Sequence, residues 1–229
     1  METRRYRVRT GRLAVLLALV ALAGCVSNGN RRPTRPSARP VQKAPLPHSQ
    51  SYRQCIGSLD ALTVRYQALP NQNMGGGCAV IDAVKLLDIG TPTANLGAMT
   101  CDLASKFAAW ARYAVRPAAR VYLGSEVVKI ETFGTYACRD VRGSGGTIAG
   151  KRSEHAHANA VDISAFVLAD GRRVSILNDW RADGASSQFL RVVHQSACKR
   201  FNTVLSPDYN VAHRDHLHFD MGGKGGYCR

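Results

Sequence analysis

No two cysteines in this chain stand at Cys-x2–4-Cys spacing, which excludes the usual tetrathiolate zinc site. There is no internal repeat, so stacked-repeat architectures are excluded as well. The apolar run at residues 13–23 is about eleven residues long, too short to cross a bilayer as a helix. Residues 27–53 contain no acid. Nowhere do aromatic and basic residues interleave in the stripe that nucleic-acid binders carry. The charge supports the same exclusion: the whole chain is +15, but residues 54–229 hold 20 basic and 15 acidic residues, a net of only +5. No nucleic-acid partner is expected.

What is present at the N-terminal end sets a compartment. Arg4, Arg5, Arg7, Arg9 and Arg12 form a basic region ahead of the apolar run, the pattern of a secretory signal. The run ends in Leu22-Ala23-Gly24-Cys25, which resembles the bacterial lipobox. That resemblance implies a signal peptide over 1–24 and lipidation of Cys25. Several acyl chains anchor stably where one does not. Val26 stands where an aspartate would resemble an inner-membrane retention signal, so the expected location is the periplasmic face of the outer membrane. Residues 25–53 read as a tether. Pro33, Pro36, Pro40, Pro45 and Pro47 alternate with Arg31, Arg32, Arg35, Arg39, Lys43 and Arg53, and such a segment cannot bury enough apolar surface to fold.

With Cys25 set aside, Cys55, Cys78, Cys101, Cys138, Cys198 and Cys228 remain. An even number in an exported chain reads as three disulfides, with fifteen pairings open. Residues 54–229 make one domain. Apolar spacing predicts helices over 52–69, over 100–116 with Thr100 as cap, and over 187–201. Strands are predicted over 121–132 and 216–221. A hairpin is predicted with arms 161–168 and 172–177 and Asp170-Gly171 as its turn. This order argues for an α+β fold, a small antiparallel sheet flanked by helices and stapled by disulfides.

Five of the seven histidines fall in two clusters, each containing at least one acid. The first runs from Ser153 through His155 and His157 to Asp162. The second is His213-Arg214-Asp215-His216-Leu217-His218. Imidazole and carboxylate are the usual ligands of a catalytic zinc. His155 and Asp162 are seven apart, separated by small residues that let the chain bend. His216 and His218 are i and i+2 on a strand and share a face. His157 reads as solvent-facing and His194 as structural. His48 falls in the tether.

Ser153-x-His155-x-x-Ala158-x-Ala160-x-Asp162 and His216-x-His218 resemble the two motifs of the D-Ala-D-Ala peptidase and murein endopeptidase metallopeptidases. His213 and His216 ahead of His218 resemble the penicillin-insensitive murein endopeptidases in particular. The whole of 54–229 is similar to the bacterial extensin-like C-terminal domain family. Tyr136-Ala137-Cys138-Arg139, the Ser153 motif, and Asp208 through His213 carry that likeness. The resemblance implies one zinc held on the sheet by His155, Asp162 and His218. It implies His216 or Asp215 as general base with His213 nearby, and Arg139 on a substrate carboxylate. Ala158 departs from the pattern, which has glycine there. An alanine resists a left-handed turn, so a different local turn is expected.

Two functions follow as expectations. One is a zinc-dependent peptidase, of D,D- or L,D-type, cutting peptidoglycan peptides beside a D-amino acid. The other is a non-catalytic, zinc-stabilised cell-wall-binding lipoprotein.

Overall fold

The computed structural model describes residues 47–229. The signal peptide expected at 1–24, Cys25 and the expected tether as far as residue 46 lie outside the described residues. The fold begins before residue 54, however. Helix α1 (Gln50–Ala61) starts inside the stretch read as tether, and Ser49 caps it by accepting from the Tyr52 N–H. Its entry is fixed by Asn71, which donates to the Pro47 carbonyl, and by Asp82, which accepts from the Ser49 N–H.

Past α1 the chain forms short strands: β1 (Arg65–Ala68), β2 (Gln72–Gly75), β3 (Cys78–Val80), β4 (Ala83–Asp88), β5 (Thr93–Ala94) and β6 (Ala98–Thr100). The helix expected over 52–69 therefore ends early. Thr63 takes a left-handed φ of 56°, which a helix cannot continue through. Thr100 caps α2 (Cys101–Trp110) as expected, accepting from the Leu103 N–H. The helical path does not stop at 116. It passes Pro117 through π-type turns at Ala111–Val115 and Ala119–Leu123, with the one-turn helix α3 (Arg116–Ala118) between them. Wider turns absorb the donor that proline lacks. Gly124, at φ 64°, ends the run. Residues 121–123 are thus helical, and the strand expected at 121–132 is displaced to β7 (Val127–Gly134).

The second half supplies β8 (Asp140–Gly143), β9 (Gly146–Arg152), β10 (Ala160–Leu168), β11 (Arg173–Ser175), α4 (Ile176–Asp179), α5 (Ala185–Cys198), β12 (Thr203–Leu205), β13 (Leu217–Asp220) and β14 (Tyr227–Cys228). β10 and β11 pair as the expected hairpin. The principal sheet runs β14-β12-β13-β10-β7-β5, with β11 alongside β10. Its ladders are antiparallel apart from β5–β7 and β12–β14. Three smaller antiparallel sheets complete a mixed α/β architecture: β1-β4-β6, β2-β3 and β8-β9.

The helices cover one face of the principal sheet. Val161, Ile163 and Phe166 of β10 and Leu217 and Phe219 of β13 point into the core with Trp110, Phe189, Leu190 and Val193. The Trp110 ring meets Phe219 edge-on at 5.1 Å, and its Nε1–H donates to the Val193 carbonyl. Because side chains alternate along a strand, Asp162 between Val161 and Ile163 on β10, His218 between Leu217 and Phe219 on β13, and Asp220 beyond Phe219 face the other way; an irregularity between Ile163 and Ala165 returns Phe166 to the core side.

Three disulfides staple the fold. Cys55–Cys101 joins α1 to the first residue of α2, Cys78–Cys138 joins β3 to the approach to β8, and Cys198–Cys228 joins α5 to β14. Loops of this size are worth about 3–4 kcal/mol each in chain-entropy terms. Among the described residues, no helix is long and apolar enough to cross a membrane.

Candidate metal centre

β10 and β13 are antiparallel neighbours, and in their register Asp162 stands directly opposite His218. Their side chains meet, with His218 Nδ1 2.8 Å from Asp162 Oδ1. His155 arrives from a different element. Ser153 caps a single 3-10 turn, Glu154–His157, by accepting from the His155 N–H, and Ala158 ends it at φ 53°, ψ 28°. The turn is left-handed after all, and alanine adopts it. The cost is about 1–2 kcal/mol, offset in part by burial of the Ala158 methyl against Val80 and Ala83. This short capped turn places His155 Nε2 3.1 Å from Asp162 Oδ2 and 3.3 Å from His218 Nδ1.

These three residues form one group whose donor atoms all lie within 4.8 Å of one another. Donors about 2.0–2.1 Å from a tetrahedral zinc stand roughly 3.3 Å apart, so the observed spacings fit such an ion. The outer hydrogen bonds fit too. A carbonyl only accepts, so Thr135 O at 3.1 Å fixes the proton of His155 on Nδ1 and leaves the Nε2 lone pair facing the cluster. Asp220 Oδ2 holds His218 Nε2 at 2.9 Å, which directs Nδ1 inward. Ligating histidines are characteristically oriented in this way by a carbonyl or carboxylate.

The electrostatics favour a cation. Burial pushes Asp162 up, but hydrogen bonds from His155 and His218 outweigh it and hold the carboxyl well below its ordinary value. Burial likewise pushes His218 down, and the flanking Asp162 and Asp220 overcome it and raise the ring to about 9. Without a metal, a proton on Nδ1 fills the position that a cation would take.

The second cluster lies beside the first. The strand starts at Leu217, so Asp215 and His216 sit in the turn before it rather than on it. His216 Nδ1 is 3.0 Å from Asp215 Oδ1, and its Nε2 is 3.6 Å from Asp162 Oδ1. The acid and the histidine therefore form a pair instead of competing for one position. His213 ends a short 3-10 turn, Val211–His213, capped by Asn210, whose Oδ1 also accepts from His213 Nδ1 at 2.8 Å. Burial, then the nearby His216 and His218, push His213 down to about 4. That shift favours the neutral imidazole; among the described residues its Nε2 has no hydrogen-bond partner, and its ring lies 5.0 Å from that of His216.

Asp162, His213, Asp215, His216, His218 and Asp220 open onto a cleft of about 730 Å³, and Arg139 lines it with them, while His155 lies buried behind it. A larger hollow of about 810 Å³ lies between α1 and α2, with no histidine in its lining. His157 is half-buried and lies outside the cluster. His194 packs edge-on against Trp180. It also stands near Cys198 and Cys228, but their sulfurs are spent in a disulfide and offer no thiolate. His48 stacks on Tyr52 and reaches Asp82 at 3.2 Å, so it belongs to the fold rather than to a tether.

Sequence reasoning missed Asp220 and Thr135. His218-x-Asp220 had the same i, i+2 signal as His216-x-His218 and was legible. Thr135 acts through its backbone carbonyl, which leaves no mark in a side-chain pattern. No curated protein and no solved structure matches the chain. A family does match, over residues 53–229, described as the extensin-like protein C-terminus. The chain belongs to that family.

Proposed function

We propose that this chain is a zinc-dependent peptidase of the cell envelope that hydrolyses peptidoglycan peptides at an amide beside a D-amino acid. The observation that carries the reading is the convergence of His155 Nε2, Asp162 and His218 Nδ1, each imidazole held by a second acceptor. The motif resemblance to D-Ala-D-Ala peptidases and penicillin-insensitive murein endopeptidases gives the substrate class. The family description names no activity.

His155, Asp162 and His218 would hold the zinc, which when bound would supply a Lewis acid for the scissile carbonyl and acidify water. The remaining work falls to residues of the chain. His216 Nε2 faces the cluster and takes the proton from the attacking water. Asp215 accepts from His216 Nδ1 and so fixes the tautomer that leaves Nε2 basic. Neutral His213 stands behind His216 and adds no competing charge. Arg139, half-buried in the same cleft, holds a carboxylate of the peptide.

The test is turnover of purified muropeptides by the zinc-loaded chain, followed by chromatography, with His216→Ala at equal zinc content as control. Cleavage by the wild type alone supports the reading. Zinc binding without cleavage of cross-linked or free stem peptides overturns it in favour of a zinc-stabilised wall-binding protein.

A further inference from the structure

One wall of the cleft is the β8–β9 hairpin, which the reading above does not use. Its base is fixed from two sides. Cys138, two residues before β8, is bonded to Cys78 on β3. Arg152, at the end of β9, donates from Nε to the Gly76 carbonyl and forms an ion pair with Asp140. Asp140 also accepts from the Gly150 N–H. The hairpin is therefore a held arm, and its one acid is fully engaged.

The charges along this wall are unbalanced. Arg142 and Lys151 line the cleft, and Arg214, from the turn after His213, lines it too. Among the described residues none of these three has an ion pair with a carboxylate, and Arg139 has none either; its Nη1 donates to a backbone carbonyl. Among the described residues, none of the acids of the lining lies within ion-pair distance of these four cations, and each has other partners. Glu154 accepts from Asn159, Asp215 from His216, and Asp220 from His218 and from the Gly222 N–H. Asp162 belongs to the metal group. Arg142 stands close enough to depress Arg139, after burial has already done so. Asp162 offsets part of this from the cluster side, but neither Arg139 nor Arg142 has a carboxylate within ion-pair distance among the described residues, and like charges so placed favour an anion that bridges them. Apolar surface lies within reach: Phe133 is 59% and Ile148 47% exposed, and both line the same cleft.

From this we infer that Arg142 and Lys151 on the β8–β9 arm, in the cleft that Arg214 also lines, form a carboxylate-recognition wall, and that the cleft takes a peptide carrying at least two free carboxylates. The inference rests on the proposed peptidase reading for the word peptide, while the wall itself rests on the charges alone. Peptidoglycan stems with free side-chain and terminal carboxylates fit this chemistry, and stems with those groups amidated do not.

Calorimetric binding tests this without requiring turnover. The zinc-loaded full chain is titrated with a purified stem peptide bearing free carboxylates, with the same peptide amidated, and with polyphosphate. Wild type is expected to bind the free acid about tenfold more tightly than the amide, on the scale of one or two exposed charge pairs. Arg142→Gln with Lys151→Gln is expected to abolish that difference and to leave the amide's affinity unchanged. Arg142→Lys with Lys151→Arg is expected to restore it. Unchanged thermal melting shows that the variants fold. Equal affinity for acid and amide in wild type overturns the inference, as does a double glutamine variant that still discriminates. Loss of polyphosphate binding in step with an equal loss for both peptides overturns it in favour of a general polyanion surface. Carboxylate-selective binding without cleavage would sink the peptidase reading and leave the wall standing. Cleavage with no carboxylate preference would do the reverse.

Discussion

Asp215 and His216 are adjacent in sequence and bonded to each other, Oδ1 to Nδ1 at 3.0 Å, in the turn immediately before β13. The carboxylate is thereby committed to the histidine, and only the histidine presents a free nitrogen to the cluster. His216→Ala should retain zinc and lose about 10²–10⁴-fold in kcat on stem peptides. Asp215→Asn should cost less, about tenfold, because the ring remains but its tautomer is held less firmly. Single-turnover rates at equal zinc content check this, and a larger loss for Asp215→Asn would transfer the base role to the acid.

His155, Asp162 and His218 should bind one zinc per chain. Alanine at any one of them should remove most of the metal, measured by atomic absorption after dialysis. Three disulfides and the separate core under α2 and α5 should keep the fold intact by circular dichroism. Full zinc occupancy in His218→Ala would reject the assignment.

Metal uptake should depend on pH with a definite sign. His218 is raised to about 9 by Asp162 and Asp220, and a ligand must be deprotonated. Zinc affinity should therefore fall about tenfold for each unit of pH below 9, with one proton released per ion near neutrality. The chelator-treated chain should show the opposite trend in stability. A histidine raised on folding stabilises fully below its unfolded value near 6.5, and that contribution disappears as pH rises through about 9. Melting temperature in chelator should accordingly fall between pH 6.5 and 9. Asp220→Asn should shift both transitions to lower pH and weaken zinc about 10–100-fold.

Cys25→Ser should release the chain from the membrane fraction, and palmitate should label the wild type only. Retention of Cys25→Ser with no label on the wild type would refute the lipobox reading.

Legibility in the sequence followed the strength of local signals. The strand pair that builds the site announced itself through alternation, since Val161, Ile163, Leu217 and Phe219 bracket the polar positions between them. Thr100 and the Asp170-Gly171 turn were readable because caps and tight turns have specific side-chain chemistry. The strands between residues 65 and 100 were invisible because each is only two to six residues long. The helical path beyond residue 116 was hidden by Pro117, whose usual meaning is a stop. Disulfide pairing is a property of the folded chain, so six cysteines gave their number but not their partners. Ala158 was expected to change its turn and did not, because a buried methyl offsets part of the backbone cost.

The register of β10 against β13 carries a further consequence. A slip of one residue in either strand would turn its side chains to the opposite face. Asp162 or His218 would then be driven among Trp110 and Phe189, and a core residue would enter the cleft. No intermediate alignment offers half a site. The ability to take up zinc is therefore a report on strand alignment. In a refolding experiment it would separate correctly threaded molecules from compact misaligned ones that secondary-structure signals alone would count as native.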